Sequence, residues 1–142
     1  MKEAIFWPMI TQVGLTAFVW FIMYTRRLSE IRSRRINPQS LSTRQLSSDV
    51  LENVTAADNF QNLFETPVLF FAVCICLAVA GEVNPLQLTL AWTYVGLRAA
   101  HSIIHITYNR VAHRFIVYSI STVCLFAMWI IFAASLVLGN TA

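Results

Sequence analysis

Apolar residues run in four long stretches, residues 5–24, 57–80, 87–108 and 115–138, separated by polar segments of unequal length. A helix needs roughly 20 mainly apolar residues to cross the hydrocarbon core of a bilayer, and each stretch meets that length. The pattern predicts an all-α fold, a four-transmembrane-helix bundle forming a single domain over residues 1–142. Residues 81–86 and 109–114 leave room only for tight turns, so the second, third and fourth helices are expected as antiparallel neighbours. Only residues 25–56 form a long connection. Within it Asn37-Pro38 reads as a turn, and Asp49 with Glu52 resembles a capping box that starts the second helix near Asp49, ahead of the membrane.

Polar residues interrupt two of the apolar stretches in register. In the third, Arg98, His101 and His105, with Tyr94 and Tyr108 at the margins, fall on one helix face. In the second, Asp58, Asn62, Glu65 and Leu69 do the same at steps of four, three and four. A central Arg or Glu costs on the order of 2.5 to 3.5 kcal/mol to insert, so each is expected to face the bundle interior and find a partner. Glu65 lies about 12 Å from one end of its helix and Arg98 about 15 Å from the matching end of its own, at about 1.5 Å per residue. These depths predict a Glu65–Arg98 ion pair flanked by Asn62 and His101. A buried clamp that only sets helix register is the plainer reading, but a clamp needs two residues and this cluster is larger. Pro67 removes one helix hydrogen bond and frees the carbonyl of Leu63, which predicts a kink beside the cluster.

Composition excludes a soluble globule. With 57% hydrophobic residues, 12% charged residues and a mean hydropathy of +0.61, a domain of this size cannot hide its apolar surface in one core. Arg26, Arg27, Arg32, Arg34, Arg35 and Arg44 lie in the first connection and Arg110 and Arg114 at the third, while the second connector and the C-terminal tail carry no Lys or Arg. The positive-inside rule then places the first and third connections in the cytoplasm and both termini outside. The first stretch is read as a retained helix, because it is long enough to span and no small-residue cleavage pattern follows it. The basic loop reads as a topology determinant against anionic membrane lipid, with no nucleic acid as partner.

Candidate chemistry narrows further. Arg110, His113 and Arg114 sit where the fourth helix starts, and Arg114 adds a delocalised charge to a helix terminus that already favours anions. That is a site for a thiolate or carboxylate. Cys74 and Cys76 project about 200° apart on a helix, so they and Cys124 read as packing thiols. His101 and His105 are one turn apart, but a third metal ligand would have to be Glu65, so no metal is expected.

The segments Asn62-Leu63-Phe64-Glu65 with Pro67, and Arg98-Ala99-Ala100-His101 through Arg110 to Arg114, resemble the two signatures of the MAPEG family, membrane-associated proteins in eicosanoid and glutathione metabolism. The resemblance covers nearly the whole chain. It implies a homotrimer of four-helix subunits with glutathione as cofactor, bound by Asn62, Glu65, Arg98, His101, His105, Arg110 and Tyr118. Arg114 would be the catalytic residue that stabilises the glutathione thiolate. The activity implied is a transferase or peroxidase acting on a lipophilic small-molecule substrate that arrives through the lipid. The membrane would be a bacterial inner membrane or a microsomal one. Asp58, an acid one turn before Asn62, keeps open a second reading, a non-catalytic binding or scaffold protein on the same fold. Proton movement through the buried polar cluster is a third, against which stands the absence of an inverted repeat.

Overall fold

The computed structural model describes residues 2–41, 51 and 55–139, and these are helical without any strand. After a 3-10 turn at Lys2–Ile5 come α1 (Phe6–Arg34), a second 3-10 turn (Pro38–Leu41), α2 (Thr55–Asn62), α3 (Thr66–Ala80), α4 (Pro85–Ile106) and α5 (Val111–Gly139). Three helical stretches are long and apolar enough to cross a membrane: Lys2–Arg34, Thr55–Ala80 and Val111–Leu138. The protein is therefore an integral membrane protein. α4 has 22 residues, about 33 Å of helix, but its buried polar face keeps it out of that apolar group.

Helix ends follow the local sequence. Arg35 takes the left-handed conformation at φ 49° and its N–H returns to the carbonyl of Ile31, closing α1. The turn expected at Asn37-Pro38 is present, with Asn37 Oδ1 accepting from the Gln39 N–H at 3.0 Å. Gly81, at φ 78°, closes α3 onto the carbonyl of Leu77, a conformation that favours a residue without Cβ. Three residues later Asn84 caps α4 by accepting from the Gln87 N–H at 2.9 Å, with Pro85 at the first turn. The start expected near Asp49 lies outside the described residues; within them the helix begins at Thr55.

Pro67 does more than bend its helix. The expected kink is a break: α2 stops at Asn62, residues 63–65 form a turn, and α3 restarts at Thr66 with the proline in its first turn. A proline there cannot donate to the carbonyl of Leu63 and its ring crowds it, so one continuous helix is excluded while a fresh N-terminus is not.

The elements alternate in direction. Gln87 Nε2, at the start of α4, donates to the Met128 carbonyl late in α5, whereas His101, near the end of α4, meets the Arg114 carbonyl early in α5. Lys2 lies beside Gly81 at the end of α3. At the opposite end Arg26 of α1 donates to the Ile106 carbonyl at 3.4 Å. α1 and α4 thus run parallel, and α3 and α5 run against them; the alternation of α3, α4 and α5 is the one the short connectors predict. The core joins Ile5 with Phe70, Val73, Cys74 and Leu77 of α3, Ala91, Tyr94 and Val95 of α4, and Leu125, Met128 and Phe132 of α5. In lipid, burial gains little hydrophobic energy, so close contact such as the Phe70–Tyr94 stack at 4.5 Å carries the packing.

Candidate functional site

One face of α4 buries Tyr94, Arg98, His101, Ser102 and His105, each at 3% exposure or less. Steps of three and four align them, and the break between α2 and α3 sets what they meet. Arg98 Nη2 donates to the carbonyl of Asn62 at 2.8 Å. Asn62 is the last residue of α2, so its carbonyl stands at the negative end of that helix, where a cation is favoured. The guanidinium also lies over the Tyr118 ring, with Cζ 5.3 Å from its centroid.

The Glu65–Arg98 ion pair expected from depth does not form. Glu65 sits in the turn after α2 and is exposed, and the one ion pair among the described residues is Glu30–Arg34 on α1. The physical reason is the break: a continuous helix would keep Glu65 in phase with Asn62, and the turn rotates it out. Asp58 is exposed too, so the expected stripe of Asp58, Asn62, Glu65 and Leu69 is not the buried face. The buried face of α2 carries Ala56, Asn59 and, just beyond, Leu63. Asn59, outside the expected polar stripe, accepts from the Ser102 hydroxyl at 3.3 Å. Its signal was its place in the row Ala56, Asn59, Leu63, Thr66, Phe70 at alternating steps of three and four. Tyr94 donates to the Thr66 hydroxyl at 3.2 Å on the same row.

His101 is oriented by the next helix. A carbonyl can only accept, so the 3.2 Å contact to the Arg114 carbonyl means that Nδ1 carries hydrogen. The neutral ring then presents Nε2 as a lone-pair acceptor, buried and without a partner. His105, on the next turn, stacks edge-on against His101 at 5.8 Å with both nitrogens unpartnered. Tyr118 of α5 lies 5.7 Å from the His101 ring.

Arg114 is the fourth residue of α5, at the helix start the sequence indicated. Its Nη1 donates to Asn109 Oδ1 at 2.6 Å, which holds the side chain toward the connector, while Nε is buried without a partner. Arg110 is exposed and enters through its backbone, as its carbonyl accepts from the Arg114 N–H. Of the expected set, the structure thus brings together Asn62, Arg98, His101, His105, Arg114 and Tyr118, and leaves Glu65 and the Arg110 side chain outward.

The unpartnered buried atoms here share a chemistry. Arg98 Nε and Nη1, Arg114 Nε and Asn59 Nδ2 are donors, His101 Nε2 is an acceptor, the His105 ring adds one of each, and Asp58 and Glu65 are exposed. Buried donors without acceptors are costly, and an anion that also carries one hydrogen to give would satisfy them. No group of three or more His, Cys, Asp or Glu is poised to hold a metal among the described residues. A model of the MAPEG family matches residues 5–134 of the chain. No curated protein and no solved structure matches it.

Proposed function

The chain belongs to the MAPEG family, and on that premise we propose that it is a membrane transferase or peroxidase that applies glutathione to lipophilic electrophiles. The observation that carries this is the set of buried, unpartnered donors on Arg98, Arg114 and Asn59, together with the acceptor on His101 and the unpartnered His105 ring. A thiol peptide with carboxylates matches that set: anionic groups for the guanidinium N–H atoms and one hydrogen for Nε2. Glutathione would supply a nucleophilic sulfur. The residues would supply charge and position. Arg98, anchored by the carbonyl at the end of α2, turns its remaining N–H atoms to an anion, His101 accepts a hydrogen from the ligand, and Tyr118 and His105 wall the space. Arg114 places positive charge at the N-terminus of α5, where a thiol with an ordinary pKa of about 8.5 would be drawn toward thiolate.

α4 crosses as well, the third of four spans in chain order, its polar face turned inward, and the chain is one domain that assembles as a homotrimer with both termini on the non-cytoplasmic side of a bacterial inner or microsomal membrane. Glu65 and Arg110, outward in the single subunit, are then available to a neighbouring copy or to the ligand. The exposed apolar side chains beside the site, Phe115 and Ile116, would meet substrates arriving through the lipid.

Calorimetric titration of the purified full-length protein with glutathione, followed by turnover of an aryl halide and of a lipid hydroperoxide, tests the proposal. Saturable binding with turnover of either substrate is expected. Binding without turnover would favour the scaffold reading, for which the exposed acid Asp58 beside Asn62 speaks, and no binding would overturn the glutathione assignment.

A further inference from the structure

The outward face of α1 changes character once along its length. Phe18, Phe21, Thr25, Leu28 and Arg32 recur at steps of three and four and so form one stripe. At about 100° per residue this stripe lies more than a third of a turn from Pro8, Gln12 and Val19, the residues α1 buries. Phe18 and Phe21 are 58% and 59% exposed. From Thr25 onward the same face borders a shallow, open groove of about 560 Å³, lined along this helix by Thr25, Leu28, Ser29, Arg32 and Ser33. Trp20 stacks on Tyr24 at 5.4 Å just before the groove begins, where amphipathic rings mark a membrane interface. The groove then starts in the headgroup layer, and Thr25 to Ser33 rises about 12 Å, so the Arg32 backbone lies at the outer edge of that layer.

Its hydrogen-bonding capacity is unequal. Thr25 and Ser33 donate to carbonyls of their own helix, Phe21 and Glu30. The Ser29 hydroxyl and the Arg32 guanidinium are the donors left for a ligand. Glu30, two residues before Arg32, is held by Arg34 at 2.9 Å. Helical side chains lean toward the N-terminus, so Arg32 reaches back toward the bilayer. We propose that this groove seats the phosphate of an anionic phospholipid, with Arg32 and Ser29 donating to it and an acyl chain lying along Phe18 and Phe21. A free phosphate would have no use for the aromatic part of the stripe, which is why the lipid is the occupant. This site is separate from the glutathione reading and stands without it.

The test uses the full chain in bilayer nanodiscs of mixed phosphatidylglycerol and phosphatidylcholine, with lipids retained on the protein counted by native mass spectrometry. The wild type should enrich phosphatidylglycerol. Arg32→Gln should lower that enrichment about tenfold, as expected for loss of a charge-assisted contact, and Arg32→Lys should keep part of it. Arg35→Asn removes the same charge outside the groove and tolerates the left-handed backbone there, so enrichment should hold. Equal losses in Arg32→Gln and Arg35→Asn would overturn the proposal in favour of diffuse attraction. Displacement of the lipid by inorganic phosphate, no enrichment in the wild type, or a change of subunit number in Arg32→Gln would overturn it as well, the last by showing that a second copy covers the stripe.

Discussion

A guanidinium buried with one carbonyl as its hydrogen-bond acceptor, as Arg98 is, carries a desolvation cost that its helix-end partner and the Tyr118 ring offset only in part. Stability and binding should therefore separate at this residue. Arg98→Met is expected to leave the melting temperature in detergent unchanged or raised, while glutathione binding is lost; calorimetry and thermal melting on one preparation check both. A sharp fall in melting temperature would mean that a second copy supplies a counter-charge. Arg114 separates differently, because Asn109 holds one of its nitrogens and leaves another turned inward. Arg114→Ala should keep glutathione affinity within a few-fold and cut turnover by on the order of 100-fold, as when one charge-stabilising donor is lost. Thiolate absorbance of the bound complex against pH reads the cause directly, and an unchanged profile would make Arg114 an interface anchor.

At the scale of elements, the break between α2 and α3 is what turns a row of residues into a site. It ends α2 at Asn62, so that a helix terminus faces Arg98, and it turns Glu65 outward. Pro67→Ala restores a donor to the Leu63 carbonyl and removes the ring that crowds it. The expected result is a continuous helix, read as slower hydrogen exchange at the amides of Phe64, Glu65 and Thr66, together with weaker glutathione binding because Arg98 loses its helix-end partner. Slower exchange with unchanged binding would show that the break serves folding alone. The proline and its effect on Leu63 were legible in the sequence. The size of the effect was not, because a lone proline inside a helical pattern is compatible with either a bend or a new start, and packing against α4 decides between them.

At the scale of the whole molecule, orientation rests on where the arginines lie and assembly on family membership. With Cys74, Cys76 and Cys124 replaced, Arg35→Cys should react with an impermeant reagent only from the cytoplasm and Glu82→Cys only from the other side; the reverse pattern would sink the orientation. The mass in mild detergent, corrected for bound detergent, should be three times the 16.1 kDa chain, and a monomer would count against the trimer. The order of helices, their antiparallel packing and the buried face of α4 were all determined by the sequence, because span length, loop length and the spacing of Tyr94, Arg98, His101 and His105 are local quantities that lipid enforces directly. Three things waited for the tertiary structure: that Asn59 and not Glu65 faces α4, that Arg98 is met by a carbonyl and not a carboxylate, and that the Arg114 backbone orients His101. Each depends on the rotation of one helix about its axis after a break or across a connector. A shift of one residue turns a side chain by about 100°, and only contact with the neighbouring helices fixes that angle.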